Sequence, residues 1–250
     1  TLIGHDGGTG SLLIAGGATA SDTFALVGRS AGGAGHVTVT GTGSAWTHSE
    51  GLVIGTGGVG SMQIDSGAHV SNAEGVVGGD AGSSGSVRVS GTNSRWTSSS
   101  FLHVGGSGTG VLSVDQGGTV KVGTNGDGVI TLGQDGAGSG TLNIGAPSSH
   151  LGNVAGTVLA AEITGGSGSG TKLVYFNYYS ETNYVFAPRL TGSLRVRQDR
   201  GDTTLTGSNT YTGGTILAGG TLSISNDANL GAVSGTLALE NGVLRTTENI

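Results

Sequence analysis

The sequence predicts an all-β protein, a right-handed parallel β-helix (a solenoid) of about ten rungs, each of roughly 25 residues. Three observations predict it. Ala45-Trp46-Thr47 returns as Arg95-Trp96-Thr97, in step with Gly28 and Gly78, Val39 and Val89, and Leu52-Val53-Ile54-Gly55 and Leu102-His103-Val104-Gly105; a period in this range marks stacked repeats. The chain holds 54 glycines and only 2 prolines in 250 residues, against an average glycine usage of roughly 7%. Its Val, Leu and Ile residues alternate with polar ones in short runs, the pattern of strands with one buried face.

Each fifty-residue unit divides into two similar halves. Leu52-Val53-Ile54-Gly55, Ser61-Met62-Gln63-Ile64 and Ala68-His69-Val70 are followed by Val76-Val77-Gly78, Ser86-Val87-Arg88-Val89 and Trp96. Three short alternating segments per half, divided by glycines, suit the sides of a coil. Glycine permits positive φ at the corners between them and disfavours helix by about 1 kcal/mol per position relative to alanine. Parallel strands need a long connection back to the start, and one turn of a solenoid supplies it. Ten such rungs at ~4.8 Å give a rod on the order of 50 Å long. Aligning the halves places Ala20, Trp46, Val70, Trp96 and Val120 in one core column, with large and small residues alternating.

Composition excludes several functions. There is no cysteine, so disulfides, thiolate metal sites and cysteine nucleophiles are ruled out. A net charge of −6 argues against nucleic acid as a partner, because phosphate binding needs a basic face. No apolar run approaches the ~20 residues of a membrane-spanning helix.

Residues 1–145 hold the glycine-rich two-rung repeats. The pattern breaks at 146–191, which contains Pro147, Pro188 and an aromatic cluster: Tyr175, Phe176, Tyr178, Tyr179, Tyr184 and Phe186. This stretch reads as a β-hairpin insertion, 173–177 against 183–187 around Tyr179-Ser180-Glu181-Thr182, with its tyrosines as candidate contact residues. Residues 192–250 form a different kind of rung.

In that last part, Asn209-Thr210-Tyr211-Thr212-Gly213-Gly214-Thr215 followed by Gly220-Thr221-Leu222 resembles the autotransporter-associated β-strand repeat of passenger domains in Gram-negative type V secretion. Phe186, Leu190, Gly192 and Leu205-Thr206-Gly207 extend the likeness, while 197–202 departs from the usual glycine-rich approach. The N-terminal rungs are also similar to the Gly-Ser-x-Trp-Thr and Leu-x-Val-Gly repeats of such passengers. The resemblance implies a parent protein with a signal peptide before residue 1 and an outer-membrane β-barrel after residue 250. It implies a surface or extracellular location, a non-catalytic adhesin role in aggregation and biofilm formation, and no cofactor. Expected partners are passengers on neighbouring cells, or host-surface and matrix glycans and proteins. The rival readings are a β-helical polysaccharide-degrading enzyme and a passive spacer that assists secretion and folding.

The candidate chemistry is sparse. Gly79-Asp80-Ala81-Gly82 is similar to the Gly-Asp-Ser-Gly loop of serine-protease passengers, but alanine stands where the hydroxyl nucleophile is needed. Asp6, Asp80 and Asp135 each follow a strand-ending glycine, where aspartate usually bonds its own backbone. The histidines at 5, 36, 48, 69, 103 and 150 lack metal-ligand spacing, and His69 and His103 fall at outward-facing positions. Arg189, Arg195, Arg197 and Arg200 form the basic concentration of the chain. Arg195 and Arg197 alternate with Leu194 and Val196, which turns them outward as a solvated face or as contacts for acidic glycans or an acidic neighbour. The binding candidates are therefore Tyr175, Tyr178, Tyr179, Tyr184, Arg195 and Arg197, with no catalytic and no metal residue.

Overall fold

The computed structural model describes residues 1–146, 153–179 and 183–248. Its strands pair in parallel and coil into a three-faced solenoid of about nine turns. Among the described residues, the first face is a ten-stranded sheet that runs from Thr9–Ile14 through Ala34–Thr40, Val59–Asp65, Ser84–Ser90, Thr109–Asp115, Ser139–Gly145, Lys172–Asn177, Arg195–Arg200 and Thr215–Leu217 to Leu237–Leu239. The second and third faces merge into a twelve-stranded sheet, because His69–Val77 and Arg95–Val104 run round a corner and pair on both. Tyr184–Phe186, Asp202–Leu205, Thr221–Ile224 and Val243–Thr246 form a separate four-stranded sheet that takes the second-face place in chain order.

The register shows how regular the coil is. Gly10 pairs with Gly35, Gly35 with Gly60, Gly60 with Gly85 and Gly85 with Gly110, so these turns are all of one length, the spacing from each glycine to the next. Gly110 then pairs with Gly140 and Gly140 with Lys172, so the next two turns are longer. The surplus lodges at corners, one of them the stretch between Thr119–Val122 and Val129–Leu132. Leu173 to Arg195, Val196 to Thr215 and Thr215 to Leu237 are steps shorter than the regular turn. The last two of these rungs carry no third-face strand among the described residues, where Arg189–Gly192 is the last of that face. In the place of that face, Asn209 accepts from the Leu190 amide at 2.8 Å and donates to the Asn229 carbonyl at 2.7 Å, and Asn229 donates to the Gly207 carbonyl at 2.9 Å. Buried side-chain amides one rung apart thus satisfy backbone groups that a strand would otherwise pair.

The core is a stack of columns. Leu12, Val37, Met62, Val87, Leu112, Leu142, Val174 and Val196 follow one another on the first face. On the second, Ala20, Trp46, Val70, Trp96 and Val120 stand in register as their alternation predicts, and both tryptophans are fully buried. Trp96 also needs space on the third face, where Gly75 replaces the leucine of the next rung. A methyl group added at Gly75 would lie 3.2 Å from Trp96 Cζ2 and 2.8 Å from Leu102 Cδ1.

The hairpin expected at 173–187 does not form. Lys172–Asn177 is an interior strand of the first face, parallel to Ser139–Gly145 on one side and Arg195–Arg200 on the other. Tyr184–Phe186 pairs in parallel with Asp202–Leu205. Both edges of the first segment are occupied by neighbouring rungs, which leaves no edge for a hairpin partner. Ser180, Glu181 and Thr182 of the expected turn, with Pro147 and His150, lie outside the described residues.

Candidate functional site

Period-two alternation on the first face sends one set of side chains inward and the other out, and the outward set makes two columns along the rod. Ser11, His36, Ser61, Ser86, Val111, Thr141, Leu173 and Arg195 form one. Leu13, Thr38, Gln63, Arg88, Ser113, Asn143, Tyr175, Arg197 and Ile216 form the other. Between them runs a chain of depressions of about 430, 480, 310 and 200 Å³. Neighbours share walls: Val111 joins the first pair, Leu173 and Arg197 the second, and Arg195 and Ile216 the third. The result is one shallow groove along the rod from His36 to Ala238. Its chemistry changes on the way, from hydroxyls and amides, through Val111, Leu173 and Tyr175, to the guanidiniums.

The structure separates the six binding candidates. Tyr175, Arg195 and Arg197 share this face. Tyr175 OH donates to Asp199 Oδ2 at 2.6 Å, and Asp199 Oδ1 lies 2.6 Å from Arg197 Nε, so one carboxylate fixes both groups. Burial, reinforced by the Asp199 carboxylate, pushes the Tyr175 phenol well above its ordinary range. Arg195 is exposed, and its Nε donates to the Gly213 carbonyl at 3.1 Å. Two other tyrosines pack with the core. Tyr178 shares a hydrogen bond of 2.9 Å with Thr203 and burial pushes its phenol up to about 12, while Tyr184 donates to the Gly156 carbonyl at 2.9 Å. Their rings lie 5.5 Å apart, with Tyr184 next to Phe186. Tyr179 is exposed, away from the groove. Of the remaining arginines of the basic concentration, Arg189 pairs with Glu162 and Arg200 is exposed at the end of its strand.

An internal polar column went unread in the sequence. Asp22, His48, Asn72 and Ser98 follow Ala20, Trp46, Val70 and Trp96 by two residues and therefore point into the same core corner. Asp22 bonds His48 Nδ1, Asn72 donates to Ser98 Oγ at 2.9 Å, and Trp96 Nε1 donates to Asn72 Oδ1 at 2.7 Å. The signal was parity: once Trp46 is placed inward, His48 must follow. His69 is exposed as expected, whereas His103 is half-buried and its ring stacks on Phe101 at 4.4 Å.

Burial holds the His48 imidazole below its ordinary 6.5, although Asp22 pulls the other way. The unfolded chain takes up this proton near 6.5 and the folded chain resists it. Stability is therefore intact above that pH and falls as the pH drops below it. The thermal midpoint, followed by circular dichroism, should decline between pH 7.5 and 5, and His48→Gln should flatten that slope. An unchanged slope in the variant would assign the decline to other groups.

Among the described residues no cluster of three or more His, Asp or Glu side chains is placed to hold a metal. Asp6 Oδ1 lies 2.7 Å from His5 Nδ1, and Asp135 Oδ1 accepts from Ser167 Oγ at 3.3 Å. Gly79-Asp80-Ala81-Gly82 forms a corner closed by the Ser83 amide donating to the Asp80 carbonyl at 3.0 Å.

The passenger-associated-transport-repeat family matches residues 198–224. No curated protein and no solved structure matches the chain. The matched segment spans the end of Arg195–Arg200, then Asp202–Leu205, the corner of Asn209 and Tyr211, Thr215–Leu217 and Thr221–Ile224, which amounts to a full turn of the coil and the second-face strand of the next. Within it Tyr211 is buried and its hydroxyl shares a 2.6 Å hydrogen bond with Thr215. This repeat family belongs to secreted or cell-surface proteins. Residues 198–224 thus carry a passenger-associated transport repeat, and the parallel β-solenoid around it fits an autotransporter passenger domain with repeats.

Proposed function

We propose that this passenger domain is a non-catalytic adhesin of the Gram-negative cell surface. It promotes self-association, aggregation and biofilm formation by holding neighbouring cells or host surfaces along its first face. The carrying observation is the continuous outward groove, in which each rung adds its own outward side chains beside those of its neighbour. Repetition multiplies weak contacts, and linked weak contacts reach high avidity without any single strong one. The groove's chemistry favours holding over turnover. Tyr175 and Arg197 are both tied to Asp199, so the carboxylate an acid–base mechanism would use is already committed.

Display of the parent protein on a non-aggregating strain should accelerate settling and increase attachment to surfaces. Unchanged settling and attachment, with surface exposure verified by antibody, would refute the adhesive reading. Turnover of a polysaccharide by the purified chain would refute the absence of catalysis.

A further inference from the structure

We propose that the part of the groove between Leu173 and Ile216 binds the carboxylate groups of a linear acidic polysaccharide; this rests on the adhesive reading and names its ligand class. Charge complementarity is the first argument. The chain carries a net charge of −6, yet this depression is lined by Lys172, Arg195 and Arg197, of which Arg197 alone has a carboxylate partner among the described residues, Asp199.

Lys172 is the second. It stands in the inward column otherwise filled by Gly10, Gly35, Gly60, Gly85, Gly110 and Gly140. It is 8% exposed, and its ammonium donates to the Gly168 carbonyl with no acidic partner among the described residues. A buried cation without a counter-charge is costly, and an anion seated in the adjoining depression, whose lining Lys172 shares, offsets that cost through space. Arg195 also has no carboxylate partner among the described residues. Its fork suits bidentate capture of a carboxylate, for which lysine alone is a poorer geometric match.

The shape of the site selects a polymer. The cationic depression opens into the next one over Leu173 and Arg197, so a ligand seated on the guanidiniums continues past Tyr175 and Val111 toward the hydroxyl and amide stretch. Rungs recur every ~4.8 Å, close to the advance per sugar of an extended glycan. A small free anion would use one depression and leave the rest of the groove empty.

The test is calorimetric titration of the full chain with polygalacturonate and with the same polymer fully methyl-esterified. The acidic polymer should bind and weaken steeply with salt, and the esterified one should bind at least about tenfold more weakly. Arg195→Gln should cost about tenfold in affinity. Lys172→Gly, which restores the glycine of the column, should also weaken binding while leaving the circular dichroism spectrum unchanged. Equal affinity for the two polymers, wild-type affinity in the variant that combines both substitutions, or self-association through Arg195 in place of polymer binding would overturn the proposal. Displayed cells that still settle while the chain ignores polygalacturonate would remove this ligand and leave the adhesive reading standing. Loss of both would remove both.

Discussion

Trp96→Ala should lower the stability of the central rungs by about 3 to 5 kcal/mol, the range for truncating a fully buried aromatic side chain. Three features place it high in that range. The indole is completely buried. Its Nε1 bonds Asn72 at 2.7 Å, so alanine also leaves a buried amide oxygen unpaired. The surrounding residues are poorly able to collapse into the gap, because Gly75 has no side chain to move and Val70 and Val120 are held by their own ladders. Urea denaturation followed by circular dichroism and by the fluorescence of the remaining Trp46 measures the loss. Trp96→Phe, which keeps an aromatic ring and drops the hydrogen bond, should fall between the two. A loss below about 1 kcal/mol for the alanine variant, the level of an ordinary substitution, would mean that this column does not hold the rungs together.

Gly105→Ala should cost about as much by a different mechanism. Gly105 turns the chain from the third face to the first with φ of +76°, and a Cβ placed there would sit 2.1 Å from the carbonyl oxygen of Ser139 in the next rung. The left-handed conformation alone costs alanine roughly 1–2 kcal/mol, and relieving the overlap adds about 1–3 kcal/mol of backbone displacement. Gly82→Ala separates the two contributions. Gly82 also has positive φ, +81°, but nothing lies within 4 Å of the position its Cβ would take, so only the conformational cost applies. The two variants should therefore differ by more than about 1 kcal/mol in the same urea experiment. Equal losses would show that the corner relaxes freely and that rung contact there is loose.

Gly105 also explains why the first half of the fold was legible in the sequence. Its counterparts Gly28, Gly55 and Gly78 meet the following rung in the same way, so chemistry that only glycine satisfies recurs once in every turn, and its exact return every second turn announces the period. The alternation of tryptophan and valine has a related origin, since two indoles in adjacent places at ~4.8 Å would compete for the same core corner. Where the turns lengthen, from Gly110 to Gly140 and on to Lys172, and then shorten, from Leu173 to Arg195 and from Val196 to Thr215, no period sets the register. The run from Tyr175 to Phe186 then read locally, as a hairpin, although its partners lie a whole rung away. The groove was half legible: parity turned Arg195 and Arg197 outward, but nothing local joined them to Tyr175 through Asp199 or revealed Lys172 in a glycine column. The column of Asp22, His48, Asn72 and Ser98 was hidden because polar residues are ordinarily assigned to the surface, even where an adjacent buried tryptophan fixes their direction.

The arrangement of strands across the long axis has a mechanical consequence. Every ladder hydrogen bond of the three faces points from one rung to the next, so tension between the ends of the rod loads them in series, and the weakest junction opens first while the others stay intact. Each regular turn that peels away releases on the order of 80–90 Å of extended chain, far more than the ~4.8 Å it occupied when folded. Under shear such a domain pays out slack a coil at a time, a shock absorber whose step size is written in the register of its glycines.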